Sequence, residues 1–239
     1  MIPPTSIDGT DITGATIDGT DVTEITVDGD VVFSGESTLP QANLHTRYDF
    51  SLEDGTTPIT DRSQNSFDLD TGGYSGVSRN INGVQSGEFD GTDDDVSASY
   101  TLTSGATFHV VIDPDTIGTN ADGILDFDGT TTPTLYLADN EVRSTNDLFA
   151  STNTSAQIIT LEVDTNDDSN LYVNGTLGDS GTTRVFASTI GNISIGTDES
   201  GSFDYYDGLI GECLIYDTYD ESRRSDVENY LSNKWGITL

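Results

Sequence analysis

The sequence predicts an all-β protein: a β-sandwich preceded by a short β-repeat and followed by a single helix. Three observations carry the prediction. From residue 44 onward, short apolar runs alternate with clusters of Gly, Asp, Asn and Thr, so turn signals recur roughly every 8–15 residues, as in sandwiches. Ahead of that point the chain repeats itself every ten residues around Asp-Gly pairs. Near the carboxyl end the apolar residues switch to helical spacing.

The repeat reads Ile7-Asp-Gly-Thr-Asp-Ile-Thr13, then Ile17-Asp-Gly-Thr-Asp-Val-Thr23, then Val27-Asp-Gly-Asp-Val-Val32. Asp-Gly supplies the left-handed turn of a tight hairpin, and the β-branched residues between turns are strand formers. A module this small buries too little apolar surface to stand alone. Residues 1–36 are therefore expected to be an anchor or oligomerisation segment that docks on another protein or pairs with copies of itself. The competing reading is a flexible acidic leader that happens to repeat. Residues 37–43, polar and interrupted by Pro40, follow as a linker.

Residues 44–239 are expected to form the sandwich. Strands are expected at His45–Leu52, Val84–Phe89, Val96–Leu102, Thr107–Ile112, Gly123–Asp128, Thr134–Leu137, Ile158–Val163, Asn170–Val173, Ile193–Gly196 and Gly208–Tyr216. The helix is expected between Thr218 and Gly236. Thr218 and Glu221 have capping-box spacing, Gly236 stands where a C′ stop belongs, and Val227, Tyr230, Leu231 and Trp235 form an apolar stripe. Trp235, the one tryptophan, reads as a packing anchor rather than a sugar-stacking platform.

The 239 residues carry 42 acidic and 8 basic side chains, a formal charge of −34, and Lys234 is the only lysine. The acids alternate with apolar residues along the whole chain, which argues against a disordered acidic tail. In dilute buffer so much like charge pushes a folded chain apart; at molar salt the Debye length shrinks to about 3 Å and screens it. The composition points to a very salty environment. It offers no basic patch to neutralise phosphates, so nucleic acid is not an expected partner. Cys213 stands alone, which precludes an internal disulfide or a thiolate metal cluster, and it reads as core filler. No apolar run reaches the length of about 18 residues that a membrane span needs, so no membrane insertion is expected. Met1-Ile-Pro-Pro-Thr-Ser6 lacks the basic and apolar regions of a secretory signal. Assembly into a particle released by lysis would need none.

In chain order, Tyr48-Asp-Phe-Ser-Leu-Glu-Asp-Gly55, Ser86-Gly-Glu-Phe-Asp-Gly-Thr-Asp-Asp-Asp-Val96 and Ala106-Thr-Phe-His-Val-Val-Ile112 are followed by Ile158-Ile-Thr-Leu-Glu-Val-Asp164 and Asn170-Leu-Tyr-Val-Asn-Gly175. The series closes with Phe203-Asp-Tyr-Tyr-Asp-Gly-Leu-Ile-Gly-Glu-Cys-Leu-Ile-Tyr216. Together these segments resemble the laminin-G-like, concanavalin-A-like lectin/glucanase superfamily. The resemblance covers residues 44–239 and implies a jelly-roll β-sandwich. Residues 228–236 resemble the helix that follows in many members. The repeat at the front resembles leader segments of structural proteins from tailed viruses of halophilic archaea. Many members of the superfamily hold a structural calcium ion, so the resemblance implies one Ca2+, whose ligands the sequence does not place. The superfamily hosts lectins, hydrolases and plain spacers, so function has to be read from a site.

Carbohydrate binding asks for an exposed aromatic face with polar neighbours. The best stretch is Ser202-Phe-Asp-Tyr-Tyr-Asp207, in which Asp204, Tyr205 and Tyr206 are candidate ligand contacts. Tyr74, in the glycine-rich Thr71-Gly-Gly-Tyr-Ser-Gly76, is a fourth. The competing reading has Phe203 and one of the tyrosines capping the core. For catalysis, Glu88-Phe-Asp-Gly-Thr-Asp93 comes close to the Glu-x-Asp-x-x-Glu strand of glucanases with this fold, where two glutamates act as nucleophile and acid/base. Here the last carboxylate is one methylene short, and Gly91 opens a turn where the strand must continue. No enzyme is expected, and His45 and His109 read as structural. Asp164–Asn170 copies the first half of an EF-hand loop but lacks its glycine and its final glutamate, and reads as a hairpin tip. Asp90, Asp93, Asp94 and Asp95 form a further acidic cluster of a kind this composition produces unaided.

The expectation is a virion structural or adhesion protein of a haloarchaeal virus (tail, fibre, spike or capsid-surface decoration), displayed at the virion surface in high salt. The repeat would hold it to other virion proteins, and the sandwich would recognise a host surface glycan or glycoprotein, or only decorate the particle. A symmetric homo-oligomer, such as a trimer, would add avidity. The alternative is a cellular haloarchaeal surface or secreted carbohydrate-binding module, and a third reading is a glycoside hydrolase.

Overall fold

The computed structural model describes residues 6–7, 10–11, 16–17, 20–21, 24–27, 30–34, 39–53, 58–71, 74, 76, 79–99, 105–118, 121–126, 134–144, 148–166, 168–182, 192–197, 204–219 and 221–239. The chain divides into two compact units, Met1–Leu39 and Pro40–Leu239.

The first unit holds three antiparallel hairpins. β1 (Ser6–Ile7) pairs with β2 (Thr10–Asp11), β3 (Thr16–Ile17) with β4 (Thr20–Asp21), and β5 (Glu24–Val27) with β6 (Asp30–Ser34). The register repeats: Ile7 lies opposite Thr10, Ile17 opposite Thr20 and Val27 opposite Asp30, while the Asp-Gly pairs expected at the turns lie outside the described residues.

The second unit is a sandwich of two sheets. In the first sheet, β19 (Thr176–Thr182), β18 (Asp168–Val173), β17 (Gln157–Val163), β12 (Ala106–Pro114), β22 (Asp207–Tyr216), β10 (Val84–Asp90) and β9 (Arg79–Ile81) lie in that order. β7 (Leu44–Asp49) also pairs with β22, beyond the stretch that β10 occupies. The second sheet runs β16 (Phe149–Ser151), β15 (Glu141–Ser144), β14 (Leu135–Ala138), β13 (Asp122–Asp126), β20 (Ile193–Ile195), β11 (Val96–Ala98) and β8 (Asp70–Thr71). β21 (Asp204–Tyr205) joins β13 in parallel, while the other pairs among the described residues are antiparallel.

A strand stands at each of the ten expected places, although residues 100–102 and 127–128 of two of them lie outside the described residues, and the first ends at Asp49 rather than Leu52: Phe50–Leu52 form a 3-10 turn capped by the Asp49 carboxylate, which accepts from the Ser51 amide at 3.2 Å. The core between the sheets follows from alternation. Phe108, Val110 and Ile112 of β12 and Ile159, Leu161 and Val163 of β17 meet Leu125, Leu135, Leu137 and Val142 of the opposite sheet. Cys213 is fully buried in that core, and its thiol is pushed up by burial, with Glu212 adding to the effect. It is filler, as expected.

Helix α1 (Glu221–Trp235) lies across the outward face of the first sheet, against β12 and β17. Its buried residues are Val227, Glu228, Leu231 and Trp235, and Gly236 ends it at φ 64°. The helix begins at Glu221, later than the capping-box spacing implies. Thr218 is committed elsewhere: its carbonyl accepts from the Thr107 hydroxyl at 3.1 Å, which ties the chain to β12 before the helix starts.

A charged network locks the helix down. Lys234 Nζ donates to Asp49 at 2.6 Å and to Glu212 at 2.7 Å; Arg47 reaches the same two carboxylates at 2.8 Å; and the Trp235 indole nitrogen donates to Glu212 at 3.2 Å. Asp49 and Glu212 are buried, so the scarce cations of an acidic chain stand where two desolvated carboxylates need them.

Candidate ligand-binding face

With α1 covering the outward face of the first sheet, the corresponding face of the second sheet is the one to search. Leu135, Leu137, Val142 and Ala150 belong to the core. Their neighbours Tyr136, Arg143 and Phe149 therefore face away from it. Register brings these three into one row: Tyr136 lies opposite Arg143 and Arg143 opposite Phe149. The row continues through Gly123, opposite Tyr136, to Tyr205, which is paired with Gly123 in parallel. From Tyr205 to Phe149 it crosses four strand spacings, about 19 Å.

Within the row, Phe149 is 37% exposed, Tyr136, Arg143 and Tyr205 are half-buried, and Gly123 is buried between the two tyrosines. The Arg143 guanidinium stacks over the Phe149 ring at 5.2 Å. It also donates to Asp139 at 2.9 Å and to Glu141 at 3.1 Å. The arginine is thus held flat and neutralised by two carboxylates, and the row offers aromatic faces flanked by hydrogen-bonding groups with little net positive charge.

The four residues proposed from sequence divide. Tyr205 stands in the row. Tyr206, its neighbour, points the opposite way: it is 0% exposed, its ring packs edge-on against Phe89 at 6.2 Å, and its hydroxyl donates to the Leu209 carbonyl at 3.2 Å. Burial raises its pKa well above the ordinary tyrosine value. Tyr74 is also corrected. At 7% exposed it packs against Phe50 and Phe89, with ring centroids 5.9 and 5.3 Å away, so its face is spent inside the core. The backbone of Asp204 pairs with Asp122, while its side chain and Phe203 lie outside the described residues.

Sequence reasoning missed Tyr136, Arg143 and Phe149. The available signal was the alternation Leu135-Tyr-Leu137, which puts the tyrosine outward on any strand with an apolar core side.

Other arrangements carry less chemistry. His109 Nδ1 lies 3.0 Å from the Thr160 hydroxyl, which in turn donates to Glu228 at 3.0 Å. In a nucleophilic triad the histidine is the middle member; here the threonine is, and burial drives the histidine pKa down to about 3, with Arg224 pushing the same way. The groove beside it, lined by Thr107, His109, Tyr216, Thr218, Arg223 and Arg224, is shallow and encloses no room for a ligand. Glu88 lies within β10, but Gly91 turns at φ 70° before Asp93, so the two carboxylates do not continue along one strand. Asp164 accepts from the Asn166 and Asp168 amides at the β17–β18 hairpin tip, as expected.

One acidic cluster has the geometry for a cation. The carboxylate oxygens of Asp90, Asp93 and Asp94 approach within 4.8 Å of one another, a hard oxygen donor set of the kind calcium takes. Two of the three also serve the turn itself: Asp94 accepts from the Asp90 amide at 2.9 Å, and Asp90 from the Thr92 amide at 2.8 Å.

No protein-family model matches the sequence, and comparison with curated proteins gives no match. Solved structures do match the fold. Domain 4 of AbnA, a GH43 extracellular arabinanase from Geobacillus stearothermophilus, solved in complex with arabinotriose, aligns with a TM-score of 0.59 at 15% identity, over 79% of this chain and 98% of that one. A mutant Trypanosoma rangeli sialidase displaying trans-sialidase activity aligns with 0.60 at 14% identity, over 86% of this chain and 35% of the sialidase. The binding domain of botulinum neurotoxin DC, in complex with rat synaptotagmin II, aligns with 0.59 at 10% identity, over 82% and 52%. At these identities the likeness concerns the sandwich fold alone.

Proposed function

We propose that this chain is a non-catalytic binding module whose ligand, a neutral glycan of a cell surface, lies along the row Tyr205–Tyr136–Arg143–Phe149. The observation that carries this reading is the register that aligns three outward aromatic rings and one arginine across neighbouring strands. Aromatic faces stack on the apolar faces of sugar rings, and the paired arginine and its acids fix hydroxyls. Arg143 is already matched by Asp139 and Glu141, and the whole chain carries −34, so an acidic glycan would be repelled. The domain 4 structure with arabinotriose supports the reading by fold analogy only. In this reading Asp90, Asp93 and Asp94 would hold a structural calcium ion that braces their turn.

The setting we propose is the surface of a haloarchaeal virus, with the amino-terminal repeat fixing the module to the particle. Acids distributed along the whole chain support a high-salt location, and the ten-residue repeat supports an attachment segment outside the sandwich. The deciding experiment is a glycan-panel and calorimetric titration of the full chain in about 3 M salt, where screening is complete. Saturable binding to a neutral glycan, weakened roughly tenfold by Phe149→Ala or Tyr136→Ala, which is about 1.4 kcal/mol, is the expected result. Binding unchanged in both variants would remove the row as the site, and no binding across the panel would leave a plain decoration module.

A further inference from the structure

We propose that the row from Tyr205 to Phe149 reads the middle of one long chain rather than a terminal sugar. An unbranched neutral glycan, linked so that successive rings turn over, lies across the strands with about five of its rings in contact. This inference rests on the glycan reading above and adds to it the length and linkage class of the ligand.

The spacing carries it. The row has one position on each of five neighbouring strands: Tyr205 on β21, Gly123 on β13, Tyr136 on β14, Arg143 on β15 and Phe149 on β16. Neighbouring strands lie about 4.8 Å apart, and a pyranose ring advances an extended chain by nearly the same step. One ring therefore falls over each position. The aromatic residues hold the first, third and fifth positions, so each stands about 10 Å from the next. In a chain joined through equatorial 1,4 bonds each ring is turned over relative to the last, and the same face recurs at every second ring. Three aromatic platforms with that period meet the same apolar face three times. A chain with axial linkages curls and leaves the row.

The two positions between the platforms suit the rings that are turned over. Gly123 carries no side chain, which leaves room between the tyrosines for the substituents of one such ring. Arg143, bonded to Asp139 and Glu141, sets donors and acceptors beside the other. A site for one terminal sugar gathers its contacts round that ring; these are strung along about 19 Å. Sheet twist turns each platform from the last by about 40–50° across two spacings. A single chain follows that turn by rotation about its linkages, and a flat crystalline face of stacked chains does not.

Calorimetric titration of the full chain in about 3 M salt tests it, with β-1,4-linked gluco-, manno- and xylo-oligosaccharides of one to six rings as probes and the α-1,4-linked malto series as comparison. In at least one β-1,4 series, affinity is expected to rise about tenfold from three rings to five and to stay level at six. Tyr205→Ala is expected to gain nothing beyond three rings, because Tyr136, Arg143 and Phe149 then make up the remaining row. A single ring that binds as well as five, with binding still weakened by Phe149→Ala, overturns this inference and leaves the glycan reading standing. So does binding confined to the malto series or to branched glycans. Absence of binding to every glycan overturns both.

Discussion

The Trp235 indole lies against the α-carbon of Gly211, in the space a side chain on that strand residue would fill. A β-carbon on Gly211 would stand 2.8 Å from the ring. The glycine is there because the helix comes down onto β22 at its last turn, and the indole nitrogen must reach Glu212 next door. Gly211→Ala is expected to destabilise the sandwich by about 1–3 kcal/mol, the usual cost of overpacking. Denaturant unfolding followed by Trp235 emission measures it, and an unchanged midpoint would mean that the helix end can lift freely.

Lys234 holds two buried carboxylates, so its removal is expected to be severe. Lys234→Met leaves Asp49 and Glu212 with Arg47 as their remaining cation, and breaking a buried pair of this kind costs about 3–5 kcal/mol. Burial works to raise the Asp49 pKa, but Lys234, Ser51 and Arg47 outweigh it and hold it below the ordinary value. Its stabilising contribution is therefore full above the unfolded pKa and lost as pH falls through the folded one. In Lys234→Met the acid limb of the stability profile is expected to move to higher pH, as thermal melts across the carboxylate range would record.

Glu162 behaves in the opposite sense. It is fully buried, and Arg224, already bonded to Glu228 at 2.7 Å, stands 3.9 Å away. Burial raises its pKa, with Arg224 only partly compensating. A raised carboxyl stabilises the fold below its unfolded pKa, and that contribution disappears as pH rises through the folded value. Glu162→Gln is expected to raise the melting temperature at pH 7 and to flatten the profile above pH 4.5, the ordinary value for the group. A lower melting temperature at pH 7 would show that the charge is needed there.

Tyr205 and Tyr206 are adjacent in sequence and opposite in role, which gives a clean separation. Tyr206→Ala is expected to cost about 3–5 kcal/mol of stability, as a large buried ring does. Tyr205→Ala is expected to leave the melting temperature within a degree or two and to weaken glycan binding. The reverse pattern would place the ligand elsewhere.

Salt dependence follows from the charge. With −34 on the chain, the melting temperature is expected to fall steadily as salt drops below about 1 M, because the Debye length lengthens and like charges interact. Circular dichroism melts from about 3 M to about 0.1 M salt measure it. A flat series would refute adaptation to high salt.

The sandwich was legible in the sequence wherever a strand had enough apolar residues to show its alternation. Phe108, Val110 and Ile112 mark β12, and Ile159, Leu161 and Val163 mark β17, because each buries one full side. The stripe of Val227, Leu231 and Trp235 marked α1 for the same reason at helical spacing. Strands such as β15 and β16 escaped notice: with four and three residues, and polar or aromatic groups outward, they are too short for a period to register. Adjacent tyrosines in a strand must face opposite sides, but the sequence does not say which one enters the core; the packing of Tyr206 on Phe89 decided that. Tyr136, Arg143, Phe149 and Tyr205 come from four strands, and inter-strand register alone makes them neighbours. Composition and periodicity determined the class of fold, its helix and its charge, because each is a property of local chain. The binding face depended on which strands pair and at what offset, a choice made by the burial of the whole core and recorded nowhere in any single segment.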